Sequence, residues 1–340
     1  MNVFNQRALR TEWLLYSACS VLWAVACAGP QVAQHAHYHA FADQRALWGV
    51  PHALDVLSNL PFALAGGWGL CVLRRWMRPG QGMGAGNGAG MPAESATSAG
   101  LCGLFFAGLL LAAGGSSLYH WQPHDATLLW DRAGMLVAFA GVAGLAVAGR
   151  IGPRPAWVVT LMMLVAGVLA LRSWQASGQF LPWAVVQGGG MLLVASMAFR
   201  PQRPEALPVS LAAVIGWYAL AKLLEWGDHA VWEWTQGVVS GHSLKHVAAA
   251  LSAWPVIAAL HATRADRPAS HAARRTGPYF ARCVRVTTWR RPAAGTPQPP
   301  AQAAATPACA GTMAAGVTPG AASPPTAPHR PHPLSTGAKA

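Results

Sequence analysis

The sequence predicts an all-α, polytopic membrane protein: a bundle of seven transmembrane helices preceded by one further apolar segment. Of its 340 residues, 53% are hydrophobic and only 10% are charged, a composition too apolar for a soluble domain. Its apolar windows are each long enough to cross a hydrocarbon core of roughly 30 Å. These windows lie near residues 13–29, 53–73, 100–120, 131–149, 155–171, 181–199, 208–226 and 243–262.

The first window, within residues 1–30, fits two interpretations. Two arginines precede an apolar middle, and the small residues of 26–28 (Ala-Cys-Ala) suit a cleavage site, as in a secretory signal peptide. The same features suit a retained transmembrane helix. In either case residues 31–263 form the predicted seven-helix membrane domain.

The direction of each helix follows from the loop arginines, because positively charged loops stay in the cytoplasm. The predicted inner positions are Arg7, Arg10, Arg74, Arg75, Arg78, Arg150, Arg154, Arg200, Arg203, Arg264 and Arg267. The polar stretches 31–52, 121–130 and 227–242 are then outer loops, and the Gly-rich stretch 79–100 is a flexible inner connector. We therefore expect an integral protein of a bacterial inner membrane.

Residues 264–340 are predicted to form a disordered cytoplasmic tail. They hold ten Lys and Arg against the single acidic residue Asp266, and are rich in Ala, Pro, Gly and Thr. A basic segment directly after a transmembrane helix more often sets topology than binds nucleic acid, so we expect no nucleic-acid partner. The six cysteines form no CxxC pair, which argues against a disulfide framework or a thiolate metal site.

Three histidines lie at one predicted membrane depth. His120 ends its apolar window on the outer side, and His242 and His246 begin the last one on the same side. His242 and His246 are four residues apart, so on a helix their β-carbons lie about 6 Å apart on one face. Ionisable groups are costly in hydrocarbon, and three imidazoles with an open fourth position form a catalytic zinc arrangement. The sequence therefore predicts a zinc site on these histidines.

Two further polar residues lie at the same depth. Ser116 precedes His120 by one turn, and Asp131 begins the next window. A zinc-bound water has a pKa lowered to about 7, and a neighbouring carboxylate can accept its proton or orient it. A single histidine in a helix is more often a hydrogen-bonded interior residue than a metal ligand. The combination predicts a catalytic centre with Asp131 and Ser116.

The motifs around these residues resemble the alkaline ceramidase family, seven-helix membrane hydrolases of the superfamily that includes progestin and adipoQ receptors. The resembling segments are Gly115-Ser116-Ser117-Leu118-Tyr119-His120, Leu129-Trp130-Asp131 and Gly241-His242-Ser243-Leu244-Lys245-His246. The resemblance covers roughly residues 38–262 in helix count and topology and is strong only at these motifs. It implies zinc on the three histidines, Asp131 activating or positioning the zinc-bound water, and Ser116 hydrogen-bonding the reacting carbonyl.

The activity that this resemblance implies is zinc-dependent hydrolysis of a lipid amide such as ceramide, giving a fatty acid and an amine from a substrate that enters from the bilayer. The alternative is a receptor-like or haemolysin-like member of the same superfamily, with a structural metal site. A proton-coupled transporter is a third interpretation, disfavoured because no inverted repeat is evident. The oligomeric state is not predicted.

A second polar group, formed by Asp43, Asp55 and Asn59, resembles the acidic entry segment that binds calcium in ceramidases. Calcium prefers six to eight oxygen ligands, and the sequence offers only these three residues to supply them. The other interpretation is that Asp55 and Asn59 hydrogen-bond between helices while Asp43 pairs with Arg45. Calcium is therefore one of two expectations for this group.

Charged residues also lie at the end of the seventh of the eight apolar windows, 208–226. Lys222 and Glu225 lie three residues apart and are expected to pair, or to contact a lipid headgroup. The tryptophans that follow suit an aromatic belt at the membrane interface.

Overall fold

The computed structural model describes residues 3–78 and 91–265, with side chains from residue 9 to residue 263 of those ranges. The helices are α1 (Val3–Ala28), α2 (Ala53–Leu57), α3 (Leu60–Met77), α4 (Ala93–Trp121), α5 (Asp125–Arg150), α6 (Pro153–Ser177), α7 (Leu181–Ala198), α8 (Leu211–Trp226), α9 (Asp228–Trp234), α10 (Gly241–Leu251) and α11 (Trp254–Ala265). Most of the predicted Gly-rich connector and nearly all of the predicted tail lie outside the described residues.

In the part of the chain that the structure describes, seven spans are long and apolar enough to cross a membrane, and the chain is an integral membrane protein. They are Leu9–Ala28, Ala53–Met77, Ala93–Trp121, Asp125–Arg150, Pro153–Ser177, Leu181–Ala198 and Gly241–Thr263. The predicted window 208–226 forms helix α8, which has 16 residues and is shorter than each of these seven spans. No strand occurs in residues 3–78 or 91–265. The predicted all-α bundle is confirmed, whereas cleavage after α1 stays a prediction.

Proline interrupts two of these spans. Pro61 is the second residue of α3, which begins shortly after the end of α2. Pro255 is likewise the second residue of α11, which begins shortly after the end of α10. Proline has no backbone N–H and its ring clashes with the preceding turn, so a helix breaks there. The first break lies next to α10, where the Ser58 hydroxyl contacts His246.

Glycines allow α4 and α5 to pack backbone to backbone. A Cβ atom added at Gly115 would lie 2.3 Å from the carbonyl oxygen of Trp130, and one at Gly134 would lie 2.4 Å from the backbone nitrogen of Ala112. Membrane helices associate through such close packing of small residues, because lipid supplies no hydrophobic drive between them. This contact holds the end of α4, with Ser116 and His120, against the start of α5, with Asp131.

We expect Gly115→Ala to destabilise the protein by about 1–3 kcal/mol, the usual cost of overpacking a tight interface. Gly114→Ala is the matched control, because an added Cβ there meets nothing within 4 Å. Both changes improve helix propensity by about 1 kcal/mol, so only the interface separates them. Thermal unfolding in detergent measures the difference. Equal melting temperatures for the two variants would contradict close packing at Gly115.

Candidate metal centre

The three predicted histidines meet inside the bundle. His120 lies in the last turn of α4, and His242 and His246 lie in the first turns of α10. All three side chains are buried, and one ring nitrogen of each lies within 4.8 Å of the other two. Within the described part of the chain, this is the one cluster of three or more His, Cys, Asp or Glu side chains with such spacing. The prediction that they converge is confirmed.

The geometry fits a single metal ion. The Nε2 atoms of His120 and His242 are 3.2 Å apart. Two nitrogens bound to a tetrahedral zinc at about 2.0–2.1 Å are separated by about 3.3 Å. Three neutral nitrogen donors favour zinc or a similar transition metal over calcium or magnesium, which prefer oxygen. The cluster can therefore hold a metal ion.

Ser58 orients His246. Its hydroxyl lies 2.7 Å from Nδ1 of His246 and donates to the carbonyl oxygen of Asp55 at 2.9 Å. Because that hydroxyl has one proton, it accepts from the Nδ1–H of the imidazole, which leaves Nε2 of His246 with its lone pair. Such outer partners commonly fix the tautomer and the direction of a metal-binding histidine.

Phe41 covers one side of the histidine cluster. This buried side chain belongs to the segment between α1 and α2, and its ring centroid lies 4.7 Å from that of His120 and 4.6 Å from that of His242. Both contacts are edge-to-face, a favourable arrangement for aromatic rings. Phe41 therefore closes one side of the histidine cluster with its ring.

The Asp228 carboxylate links the segment between α1 and α2 to the start of α10. One carboxylate oxygen accepts from the backbone N–H of His242 at 2.8 Å, and the other accepts from the backbone N–H of Ala42 at 3.0 Å. The first of these N–H groups is left unpaired by the helix itself, since it belongs to the first turn. Asp228 thus fixes the chain at His242 and beside Phe41.

Ser116 and Asp131 lie together beside the histidines. The Ser116 and Asp131 side chains lie close enough to interact across the α4–α5 contact. Both residues line the same cavity as His246. The structure therefore places the predicted serine and aspartate next to one of the three metal-ligand candidates.

The cavity extends from these polar residues into the apolar middle of the bundle. Its volume is about 140 Å³. Most of its inner wall is hydrocarbon or aromatic, including Phe105, Leu109, Val142, Met191 and Val214. A ligand with one polar end and an apolar chain matches this division of the wall.

The three residues of the predicted calcium site, Asp43, Asp55 and Asn59, are all buried, but their side chains have different hydrogen-bond partners. Both oxygens of the Asp43 carboxylate accept from the Arg45 guanidinium, at 2.9 and 2.7 Å. Burial raises the pKa of Asp43, but the hydrogen bonds and charge of Arg45 outweigh it and hold that pKa below its usual value. The alternative expectation for Asp43 is therefore confirmed.

Asp55 and Asn59 lie at the α2–α3 break. One oxygen of Asp55 accepts from Ser240 at 3.2 Å and from Ser243 at 2.6 Å, which joins α2 to the start of α10. The Asn59 side chain donates to the Asp55 carbonyl at 2.8 Å. With Asp43 committed to Arg45, calcium at these residues stays a prediction.

No protein-family model and no curated protein matches this chain. The resemblance to alkaline ceramidases therefore stays a prediction that rests on the motifs.

Proposed function

We propose that the protein is a zinc-dependent intramembrane lipid amide hydrolase, ceramidase-like in its reaction, which releases a fatty acid and an amine. One observation carries this proposal: three buried histidines converge, and one of them, His246, lines a cavity that Asp131 and Ser116 also line. Amide hydrolysis needs a nucleophile at neutral pH, a Lewis acid and an oxyanion donor.

His120, His242 and His246 would hold the zinc ion. When bound there, zinc supplies a Lewis acid and lowers the pKa of a coordinated water. The three imidazoles must be neutral to bind it, which suits residues buried in the bundle without a carboxylate partner.

Asp131 would act as the general base and then as the general acid. Its carboxylate lines the cavity beside His246, so it can take the proton of the attacking water and return it to the leaving amine nitrogen. Ser116 lies beside this carboxylate and can donate a hydrogen bond to it or, once substrate is bound, to the carbonyl oxygen.

The apolar inner wall supports an N-acyl lipid as substrate. The acyl chain would lie along residues such as Phe105 and Val142, with the amide at the polar end near His246. A substrate of this kind is dissolved in the bilayer and would enter the bundle sideways.

We also propose that the metal centre faces the periplasm and the C-terminus the cytoplasm. Along α5, Asp131 lies near the start and Arg150 at the end; along α4, His120 lies near the end and Glu94 at the start. Glu94 pairs with Arg203, another predicted inner arginine, at 2.7 Å. The arginine-rich end of the bundle is thus opposite the histidines, and such ends stay cytoplasmic.

The test is the metal content and amidase activity of the purified protein in detergent. We expect about one zinc per chain and release of fatty acid from N-acyl amides, lost on chelation and restored by zinc. A protein without stoichiometric zinc would contradict the proposal. Stoichiometric zinc without cleavage of ceramide, N-oleoylethanolamine or N-oleoylglycine would instead favour the receptor-like alternative.

A further inference from the structure

Three cations line the cavity that contains His246 and Asp131. They are Lys245, which lies between the two histidines of α10, Lys222 on α8, and Arg132 on α5. The amidase chemistry proposed above uses none of them. Arg132 is buried and Lys245 is largely so, whereas Lys222 is exposed. Cationic side chains inside a membrane bundle are unfavourable and usually mark a functional site.

Glu225 is shared between the two lysines. Its Oε1 accepts from the Lys245 ammonium at 2.6 Å, and its Oε2 accepts from the Lys222 ammonium. Each ammonium has three N–H donors, and Glu225 takes one from each. One carboxylate therefore balances two positive charges, and both lysines keep donors for a further acceptor.

Arg132 is a cation held by aromatic rings. Only 1% of the residue is exposed, and its guanidinium carbon lies 4.2 Å from the centre of the Trp174 ring and 5.2 Å from that of Tyr38. Among the described residues, its Nε and Nη1 atoms have no hydrogen-bond partner. These cation–π contacts and a hydrogen bond from Nη2 to the Gln34 side-chain oxygen hold the charge in place but do not neutralise it.

The polar end of the cavity is therefore positively charged overall. The three cations face two carboxylates, Glu225 and Asp131, while the histidines are neutral as ligands. A bound zinc ion would increase this excess of positive charge. Uncompensated charge in a low-dielectric interior is unfavourable, so this end of the cavity favours a ligand that brings a negative charge. A ceramide headgroup is neutral and brings none.

We propose that the physiological substrate is an N-acyl amino acid, whose carboxylate is bound by Lys245 together with Lys222. This inference rests on the proposed amidase function and names its substrate class. Lys245 is next to His246 in the chain and lines the same cavity as His246 and Asp131, so a group bound to it lies beside the reacting amide. In an N-acyl amino acid, one carbon separates the carboxylate from the amide nitrogen.

The reaction adds water across the amide. A C–O bond forms at the carbonyl carbon, the C–N bond breaks, and a proton passes to the amine nitrogen, giving a fatty acid and an amino acid. The acyl chain occupies the apolar wall and the carboxylate the lysines, so the two ends of the substrate fix the amide between them.

N-oleoylglycine and N-oleoylethanolamine test the proposal, because they share the acyl chain and the amide and differ in charge. We expect the zinc-loaded wild type to have a kcat/KM about tenfold or more higher for N-oleoylglycine. Lys245→Met should lower this preference by about tenfold. Lys245→Arg, which keeps the charge, should retain most of it. Arg172→Met removes an exposed cation outside the cavity and should leave the preference unchanged.

The same pair of amides is also measured for binding, in the Asp131→Asn background. We expect N-oleoylglycine to bind about tenfold more tightly than the ethanolamide, and Lys245→Met to remove the difference. If Lys245→Met does not fold, Lys222→Met gives the same comparison with a smaller loss.

A wild type that cleaves and binds both amides equally would overturn the proposal. An equal loss of activity on both substrates in Lys245→Met would also overturn it, and would place Lys245 in the chemistry at the carbonyl. Cleavage of neither amide, with tight and Lys245-dependent binding of N-oleoylglycine, would refute the amidase function and leave the carboxylate site standing.

Discussion

Replacing His246 with alanine is expected to abolish zinc binding and amide hydrolysis together. His246 supplies one of three nitrogen donors that lie within 4.8 Å of one another, and no other described carboxylate, cysteine or histidine joins that cluster. Loss of an outer partner such as Ser58 commonly costs 10–100-fold in metal affinity, so loss of a direct ligand should cost more than about 100-fold. Metal analysis and zinc titration of the purified variant give the result.

His261→Ala is the control for this variant. His261 is exposed on α11, which continues the same membrane span after the break at Pro255. Its removal should leave zinc and activity at wild-type levels. If His246→Ala kept one zinc per chain with unchanged affinity, the three-histidine site would be wrong, whatever the activity of the variant.

The meeting of the histidines could be predicted because it follows from periodicity and topology alone. Residues 242 and 246 share a helix face at any crossing angle, and the arginine pattern places both at the same depth as His120. Apolar windows likewise predict spans, since only length and composition matter. The helix breaks at Pro61 and Pro255 were visible in the sequence, but the predicted windows passed through them.

The partners that hold the histidines could not be predicted, because they depend on loops and on the directions of side chains. Phe41 contacts the histidine cluster from the irregular segment between α1 and α2, and Ser58 contacts His246 from the break between α2 and α3. Asp228 binds backbone N–H groups, which leave no trace in a sequence. For Lys222 and Glu225, three-residue spacing predicted the pair, while the second partner, Lys245, comes from another helix.

Asp131→Asn is expected to lower the rate of amide hydrolysis by about 10²–10⁴-fold while the protein keeps its zinc. Asparagine has the size of aspartate and can still accept a hydrogen bond from Ser116 through its amide oxygen, so the α4–α5 contact should persist. It cannot take up the proton of the attacking water or pass one to the leaving amine. Turnover of N-acyl amides and metal content, measured on the same preparation, separate this effect from loss of the metal.

Asp125→Asn is the matched control, since it makes the same change on the same helix at a side chain that is 68% exposed. Asp125 is the first residue of α5 and does not line the cavity, so activity should stay within about twofold of wild type. If Asp131→Asn lost zinc, the carboxylate would belong to the metal site itself. If Asp131→Asn kept both zinc and full activity, the proton transfers would have to use another group, and Glu225 is the one other carboxylate that lines the cavity among the described residues.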